Sequence, residues 1–576
     1  MDAKTSDPGA GIFVWSVWGA VLATALFYAL LFGADVPLWD DYAVVPQLCG
    51  RAPVDAAWLW SQHSEHRIPL ARVVLLTVFR LDGADPRPVM ALNAALLGAA
   101  AAALLVAAGR SPEGRRYSDA FLPLVMLGPA HHENLLWAIQ ITYVAPAALL
   151  CFALSLVATS GGRPGVGRCG LVALCLAILP LCNAGGLLMV PPLAIWLGAA
   201  AVGHWRSDRP GGRRRALLIA AATAPALILV ALYLRGYVKP SHHAAPGGLV
   251  ASLRATAQFL ATALGSPGTT LWPFSGLIVA GGMIGAFATL VWTWFARPAD
   301  RWSVGGALCA FGAVAALAVA TGWGRSGEGP SAGLQPRYAT LAAPALAVVY
   351  LAFARFGPRG LRGLVPMYIF AGFCVLVWPS AQEALRGGNV AKENSIRFHG
   401  DLTAGEPLYR LVRRHVPWMH PSQAATRDYL EMLRASGVGK FRAIRPDPPF
   451  EQRRLELNPT DVRLARWNNQ EGEIIAQGVD PWVRFDLPAP ARVAGVRVRY
   501  DHHNDDGAPA RFRLAWRSDG QLDFPADQQY GDWNLPTGED QTTTVWIDQT
   551  ISQIRLQPDN RPCRFRIHEL TLLLAP

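Results

Sequence analysis

The stretch IFVWSVWGAVLATALFYALLFG (residues 12–33) runs for twenty-two residues without a charge, and a few positions later the chain reads VPLWDDYAVVPQL (Val36–Leu48). A helix crossing a hydrocarbon layer of about 30 Å needs about 20 apolar residues, so the first run reads as a transmembrane helix. It is too long for a signal-peptide core and lacks a strong basic flank or a clear cleavage site, so it is expected to be retained. The carboxylates that follow, Asp40 and Asp41, then lie at a membrane surface, where charge is costly and ordinarily has a partner or a task. One of them can serve as a helix cap. The sequence does not separate the two.

Working outward, the same apolar pattern recurs. Candidate spans are 12–33, 88–109, 119–131, 136–158, 168–182, 184–203, 214–234, 272–295, 302–321, 338–356 and 362–380, about eleven in all. Three of them are short, and the 168–203 stretch is interrupted by CNAGG. Charged residues make up only 16% of the chain, against about a quarter in a soluble protein. The net charge of +11 does not point to nucleic acid, because many of the arginines fall in short connections between spans. Arg110, Arg115 and Arg116, then Arg163 and Arg168, then Arg206, Arg209, Arg213, Arg214 and Arg215, then Arg297 and Arg301, then Arg359 and Arg362 all fall on one face. The positive-inside bias makes that face cytoplasmic and puts the N-terminus inside. The loop 34–87, the HHEN turn, 235–271, 322–337 and everything after 380 then face outward. The outward loop 34–87 is itself partly apolar and reads as short amphipathic helices forming a roof beside the bundle. The eight cysteines show no metal-ligand spacing and read mostly as small apolar fillers.

From about 381 the composition turns soluble. LYRLVRRHVPWMH and ATRDYLEMLRAS read as amphipathic helices. WVRFDLP, VAGVRVRYD, ARFRLAWRS, TTTVWID, ISQIRLQPD and FRIHELTLLL alternate with the period of strands. Three regions are expected: a membrane domain over 1–380, a partly helical linker over 381–450, and an antiparallel β-sandwich or jelly roll over 451–576.

The outward polar residues cluster. HSEHR supplies His63, Glu65, His66 and Arg67. On a helix His63 and Arg67 would share a face, with Glu65 and His66 pointing elsewhere. HHENLLWAIQITY supplies His131, His132, Glu133, Asn134, Trp137 and Gln140, a carboxylate–amide–aromatic set that suits a hexose-like group. A further loop carries Arg235, Tyr237, Lys239, His242 and His243, and the last outward connection carries Arg325, Glu328, Arg337 and Tyr338. Arginine is the natural clamp for phosphate at an interface, because its fork donates two hydrogen bonds at once, although Arg337 stands where a side chain can simply snorkel.

A first span followed by an outward WDD stretch, a partly helical loop, a many-span bundle and an outward soluble domain resembles the GT-C superfamily of membrane glycosyltransferases. The resemblance covers roughly residues 12–380. It implies a polyprenyl-phosphate-linked sugar donor, inversion at the sugar, and a glycan, lipid or protein acceptor. It also implies an aspartate base at Asp40 or Asp41, and donor-phosphate contacts from His63, His66, Arg67, Arg325 or Arg337; the polar clusters themselves add Glu65, His131, His132, Glu133, Trp137, Gln140 and Tyr338 as candidate phosphate or sugar contacts. Some members bind a divalent cation (Mg2+, Mn2+ or Ca2+), for which Asp40, Asp41 and Glu65 are the ligands to consider. The 451–576 region resembles galactose-binding-like jelly rolls through PWVRFDLP and QIRLQPDN…FRIHELTL. The chemistry is coherent by itself: transfer to a hydroxyl needs a base and a stabilised leaving group, and a lipid phosphate needs no nucleotide-binding glycine loop. The competing expectation, a transporter or flippase of lipid-linked sugars, would place charges deep in several spans. Only scattered polar residues such as Asn93 and Asn183 occur there. An alphabet rich in arginine, alanine and glycine fits a bacterium of high GC content, hence the inner membrane with a periplasmic C-terminal domain.

Overall fold

The computed structural model describes residues 8–208, 210–240, 243–504, 507 and 509–575, without the side chain of Trp533. Arg209 and His242, named above, lie outside the described residues. The chain divides into two units: residues 1–36 with 53–393, and residues 37–52 with 394–576.

The first unit is a helical bundle. Among the described residues, nine helices are long and apolar enough to cross a membrane: Pro8–Phe32, Arg87–Gly109, Ala138–Ala158, Ala184–Trp205, Gly212–Leu234, Phe274–Ala296, Pro298–Glu328, Tyr338–Phe356 and Leu361–Thr403. The protein is therefore a polytopic membrane protein, with fewer long spans than the eleven expected. The 119–131 stretch accounts for one difference. It breaks into a short turn, a seven-residue helix Phe121–Leu127 and a second turn after Gly128, because Pro129 cannot continue the helix. At 1.5 Å per residue, seven residues do not cross a bilayer. Val166–Cys182, at 17 residues, is the other short element.

Two helices form the centre. Ala138–Ala158 and Tyr338–Phe356 are 78% and 83% buried over their apolar windows, whereas Pro8–Phe32 is 17% buried and presents its side chains outward. The central Tyr338–Leu351 segment is rich in alanine. Small side chains let backbones approach closely where lipid offers no hydrophobic driving force. The expected outward loop 235–271 contains an unforeseen helix, Leu249–Ala261. Its buried stripe of Ser252, Ala255, Gln258 and Phe259 packs on Arg301–Arg325. The roof loop holds Ala56–Trp60 and Pro69–Leu81 as short helices. Between them, β1 (Gln62–His63) and β2 (His66–Arg67) form an antiparallel hairpin. This corrects the helical reading of HSEHR: the seven polar residues 61–67 between two apolar runs are too short for a helix, and Ser64, with φ of 51°, turns the chain.

In the second unit, helices Leu408–His415 and Gln423–Ala435 precede a continuous antiparallel sheet of nine strands. These are β3 (Glu451–Arg454), β4 (Asp461–Arg463), β5 (Ala465–Asn468), β6 (Glu473–Ala476), β7 (Trp482–His503), β8 (Ala510–Arg517), β9 (Gln529–Leu535), β10 (Gly538–Gln557) and β11 (Cys563–Leu574). WVRFDLP and VAGVRVRYD, read separately above, are the two halves of β7; TTTVWID and ISQIRLQPD are likewise joined in β10. The two long strands pair along their lengths. At one end they are flanked by β8 and β4, at the other by β11. Register shifts in β10 at Trp546/Gln549 and Ile551/Gln553 mark where the sheet folds over. Val496, Val498, Tyr500, Trp516, Ile554 and Phe565 fill the space between the halves, so this part is the expected sandwich.

Candidate active site

A cavity of about 340 Å3 opens in the helical unit where the β1–β2 hairpin, the start of Ala184–Trp205, the 237–246 loop and the end of Arg301–Arg325 meet. Glu65, at the hairpin tip, ion-pairs with the Arg325 guanidinium. Arg325 Nη1 also donates to Glu328 Oε1 at 2.8 Å, and His243 bridges Glu65 (2.9 Å) and Glu328 (3.0 Å) through its two ring nitrogens. The four side chains close a ring at the mouth, and Lys239 lines the same wall.

The backbone adds a second positive element. Asn183, in extended conformation, caps Ala184–Trp205 by accepting from Gly186 N–H at 2.8 Å, and its own Nδ2 donates to the Thr142 carbonyl at 2.6 Å. Asn183, Ala184 and Gly185 therefore present a helix N-terminus to the cavity. The helix dipole favours an anion at such an end, and the Gly185 N–H lies between two that are already engaged, those of Ala184 and Gly186. The Ala184 N–H reaches His66 Nδ1 at 3.4 Å, which leaves the ring hydrogen of neutral His66 on Nε2, 3.6 Å from Glu65. Burial drives the His66 pKa down to about 4 against the pull of Glu65. Burial works to raise the Glu65 carboxyl, but His66, Arg325 and the Ser64 hydroxyl outweigh it, so Glu65 stays well below the usual carboxylate range. Below the charged mouth the wall becomes apolar: Leu188, Leu317, Ala320 and Leu341, with Tyr143, Tyr338 and Trp323 between.

Of the residues singled out in the sequence, Glu65, His66, Asn183, Tyr237, Lys239, His243, Arg325 and Tyr338 line this cavity. Arg337 stacks on Tyr338 and faces Glu133, whose carboxyl is raised by burial against the opposing charge of Arg337. His63 pairs across the hairpin with His66. Arg67 directs its guanidinium at the carbonyls of Trp60 (2.6 Å), Tyr233 (3.2 Å) and Arg235 (3.1 Å), tying the hairpin to the neighbouring helix end. His131 and Asn134 both bind Thr340 Oγ1, at 2.8 and 2.6 Å, at the start of the central helix. Trp137 and Gln140 bracket a turn against Arg87–Gly109, and His132 lines a separate cavity of about 240 Å3 with Glu383.

The aspartate pair belongs to the second unit. Asp41 is fully buried, and its carboxylate accepts the Leu38 N–H at 3.1 Å to cap the turn Trp39–Val44. Asp40 is exposed, and its charge acts on His420 and Tyr429. The turn is anchored by Trp39 N–H to the Met419 carbonyl (2.6 Å) and by Tyr42 stacked on Tyr429 at 4.8 Å. Among the described residues no group of three or more His, Cys, Asp or Glu side chains is arranged to hold a metal ion. Asp40, Asp41 and Glu65 make no such set, and no step below runs through a metal.

The sequence reading passed over the cap at Asn183, although the cue was present: an asparagine followed by Ala-Gly-Gly at a helix start. It also gave Tyr143 no role, since a tyrosine in a span carries no signal of its own.

Fold and cavity together define a polytopic membrane protein with a charged pocket above an apolar floor and a C-terminal β-sandwich. No family model and no curated sequence matches the chain. In structure it is similar to ArnT from Cupriavidus metallidurans, at 17% identity over 74% of this chain and 77% of that one, with a TM-score of 0.37. It is also similar to the arabinofuranosyltransferase AftD from Mycobacteria, at 13% identity and a TM-score of 0.27, over 97% of this chain but only 61% of that one. A xylan binding module from Roseburia intestinalis, CBM86, matches over 22% of this chain and 95% of its own length, at 13% identity and a TM-score of 0.17.

Proposed function

We propose that the protein is an inverting GT-C-type glycosyltransferase that moves a sugar from a polyprenyl-phosphate donor to a cell-envelope glycan, lipid or protein at the outer face of a bacterial inner membrane. The observation that carries this reading is the cavity: Arg325, Lys239 and a helix N-terminus converge on one mouth, above an apolar floor between membrane helices. A phosphate at the mouth with its prenyl chain along Leu188, Leu317 and Leu341 satisfies both halves. In the reaction a base takes the acceptor hydroxyl proton, and the oxygen attacks the anomeric carbon from the face opposite the phosphate. The bond from that carbon to the phosphate oxygen then breaks, and its electron pair leaves with the phosphate. Charge builds on that oxygen in the transition state, so positive groups fixed in place beforehand lower the barrier. For the base we take Asp40, the exposed carboxylate of the WDD pair, because Asp41 is committed to its cap. The basic connections would then face the cytoplasm, with the sandwich in the periplasm.

The test is release of sugar from a panel of radiolabelled polyprenyl-phosphate sugars by purified protein, beside Arg325→Gln and Arg325→Lys. Turnover of one donor, lowered at least about a hundredfold in Arg325→Gln and less in Arg325→Lys, is expected from removing a charged transition-state contact. Lipid-linked sugar moved across vesicles without being cleaved would replace this reading with the flippase.

A further inference from the structure

The second unit contains a polar cleft of about 690 Å3 between helix Leu408–His415 and the fold-over point of β10. It takes no part in the chemistry above. We propose that this cleft binds an anionic sugar, one bearing a carboxylate or a phosphate.

Its lining carries three guanidiniums, from Arg397, Arg413 and Arg414, against two carboxylates, Asp401 and Asp548. Both carboxylates are already neutralised. Asp401 takes Arg414 at 2.8 Å and His415 Nε2 at 3.0 Å; Asp548 takes Arg492 at 2.8 Å and Arg410 at 3.3 Å. Arg413 differs. Its guanidinium lies over the Trp516 ring at 5.2 Å and donates to two carbonyls, of Ile547 (3.3 Å) and Asp527 (3.5 Å). Among the described residues it forms no ion pair, although the Asp527 and Asp548 charges lie close enough to act on it. A cation held over an aromatic ring and by two carbonyls is pre-organised, and less freedom is lost for each bond it makes to a ligand.

The neighbouring residue types complete a sugar-acid site. Trp516 Nε1–H donates to Gln549 Oε1 at 2.6 Å, so the carbonyl end of that amide is held and its nitrogen is the donor end. Asp548 sits beside it with φ of 53°, a conformation unfavourable for a non-glycine residue and held here by Arg410, Arg492 and the Tyr409 hydroxyl at 3.4 Å. A fork donor for an acidic group, with amide and carboxylate groups for hydroxyls, suits an acidic saccharide better than a neutral one.

The test titrates full-length protein in detergent with trigalacturonate, with glucose 6-phosphate, and with maltotriose as the neutral control. Trigalacturonate or glucose 6-phosphate is expected to bind, which also tells carboxylate from phosphate, and maltotriose is not. Arg413→Gln should weaken binding about tenfold or more, Arg413→Lys less, and added salt should weaken it further. Gln549→Ala provides a second variant should Arg413→Gln fail to fold, with the same direction expected. Donor-sugar release should be unchanged in all of them, so this result stands apart from the glycosyltransferase reading. The proposal is overturned if neither charged probe binds, if maltotriose binds equally well, if binding survives both Arg413→Gln and Gln549→Ala, or if only vesicles of anionic phospholipid compete.

Discussion

At the scale of single residues, adjacent side chains of the same type have different environments. Asp41 is buried and caps a turn; Asp40 is exposed. Asp41→Asn should therefore lower stability by about 1 kcal/mol, the usual worth of a cap. Asp40→Asn should leave the melting temperature unchanged and remove sugar release; equal losses of stability in both variants would contradict this. His131 and His132 diverge similarly. His131 is 1% exposed, its Nε2–H donates to the Val125 carbonyl at 2.8 Å, and its Nδ1 accepts from Thr340, so it is folded as the neutral ring. Burial lowers its pKa to about 4. Because the unfolded chain takes up this proton at a higher pH than the native one, stability is complete above about pH 6.5. It falls as the pH drops from there toward 4, by on the order of 3 kcal/mol for a fully buried ring. Melting curves at pH 7 and pH 4.5 should show a smaller difference in His131→Gln than in the wild type. That one aspartate of WDD caps a helix was legible from the sequence; which one, and which histidine of HHEN is buried, was not. What distinguishes the members of each pair is a partner supplied from elsewhere in the chain.

At the scale of elements, the long spans were legible because runs of twenty apolar residues have one low-energy fate in lipid, the helix that satisfies its own backbone. Short elements were not. HSEHR became a hairpin and Phe121–Leu127 a buried stub, since below about ten residues pattern is weak and local turns decide. The helix Leu249–Ala261 escaped because Arg254 and Gln258 break the apolar run, although its buried stripe follows helical spacing. The start of Ala184–Trp205 carries the most consequence, since one residue both caps the helix and ties it to a neighbour. Asn183→Ala loses the bond to Gly186 and the one to Thr142. A cost of about 1–2 kcal/mol follows, read as a lower melting temperature. Donor affinity should fall too, because the frayed helix end lines the cavity.

At the scale of the whole molecule, the apolar helical part was legible from composition and the sandwich from alternation, but not that residues 37–52, with the aspartate pair, belong to the second unit. The candidate cavity was not legible, since it draws on six segments separated by up to 276 positions, Glu65 to Leu341. The proposed sidedness is open to a direct check. Single cysteines placed at Arg213 and at Lys239, in a background without the native eight, should differ toward a membrane-impermeant maleimide added to intact cells. The second should react at once and the first only after permeabilisation; the reverse order would invert the topology and with it the placement of the active site.

The ring at the cavity mouth also bears on which guests the cavity can take. Because Glu65 already lies against Arg325, filling the site is an exchange of counter-ions and not a simple addition. A chloride or bicarbonate gains nothing by replacing a tethered carboxylate, since it brings one charge, no apolar chain and the entropy cost of capture. On the proposed function, a guest whose anionic head and hydrocarbon tail act together is the one fit to displace that internal tenant.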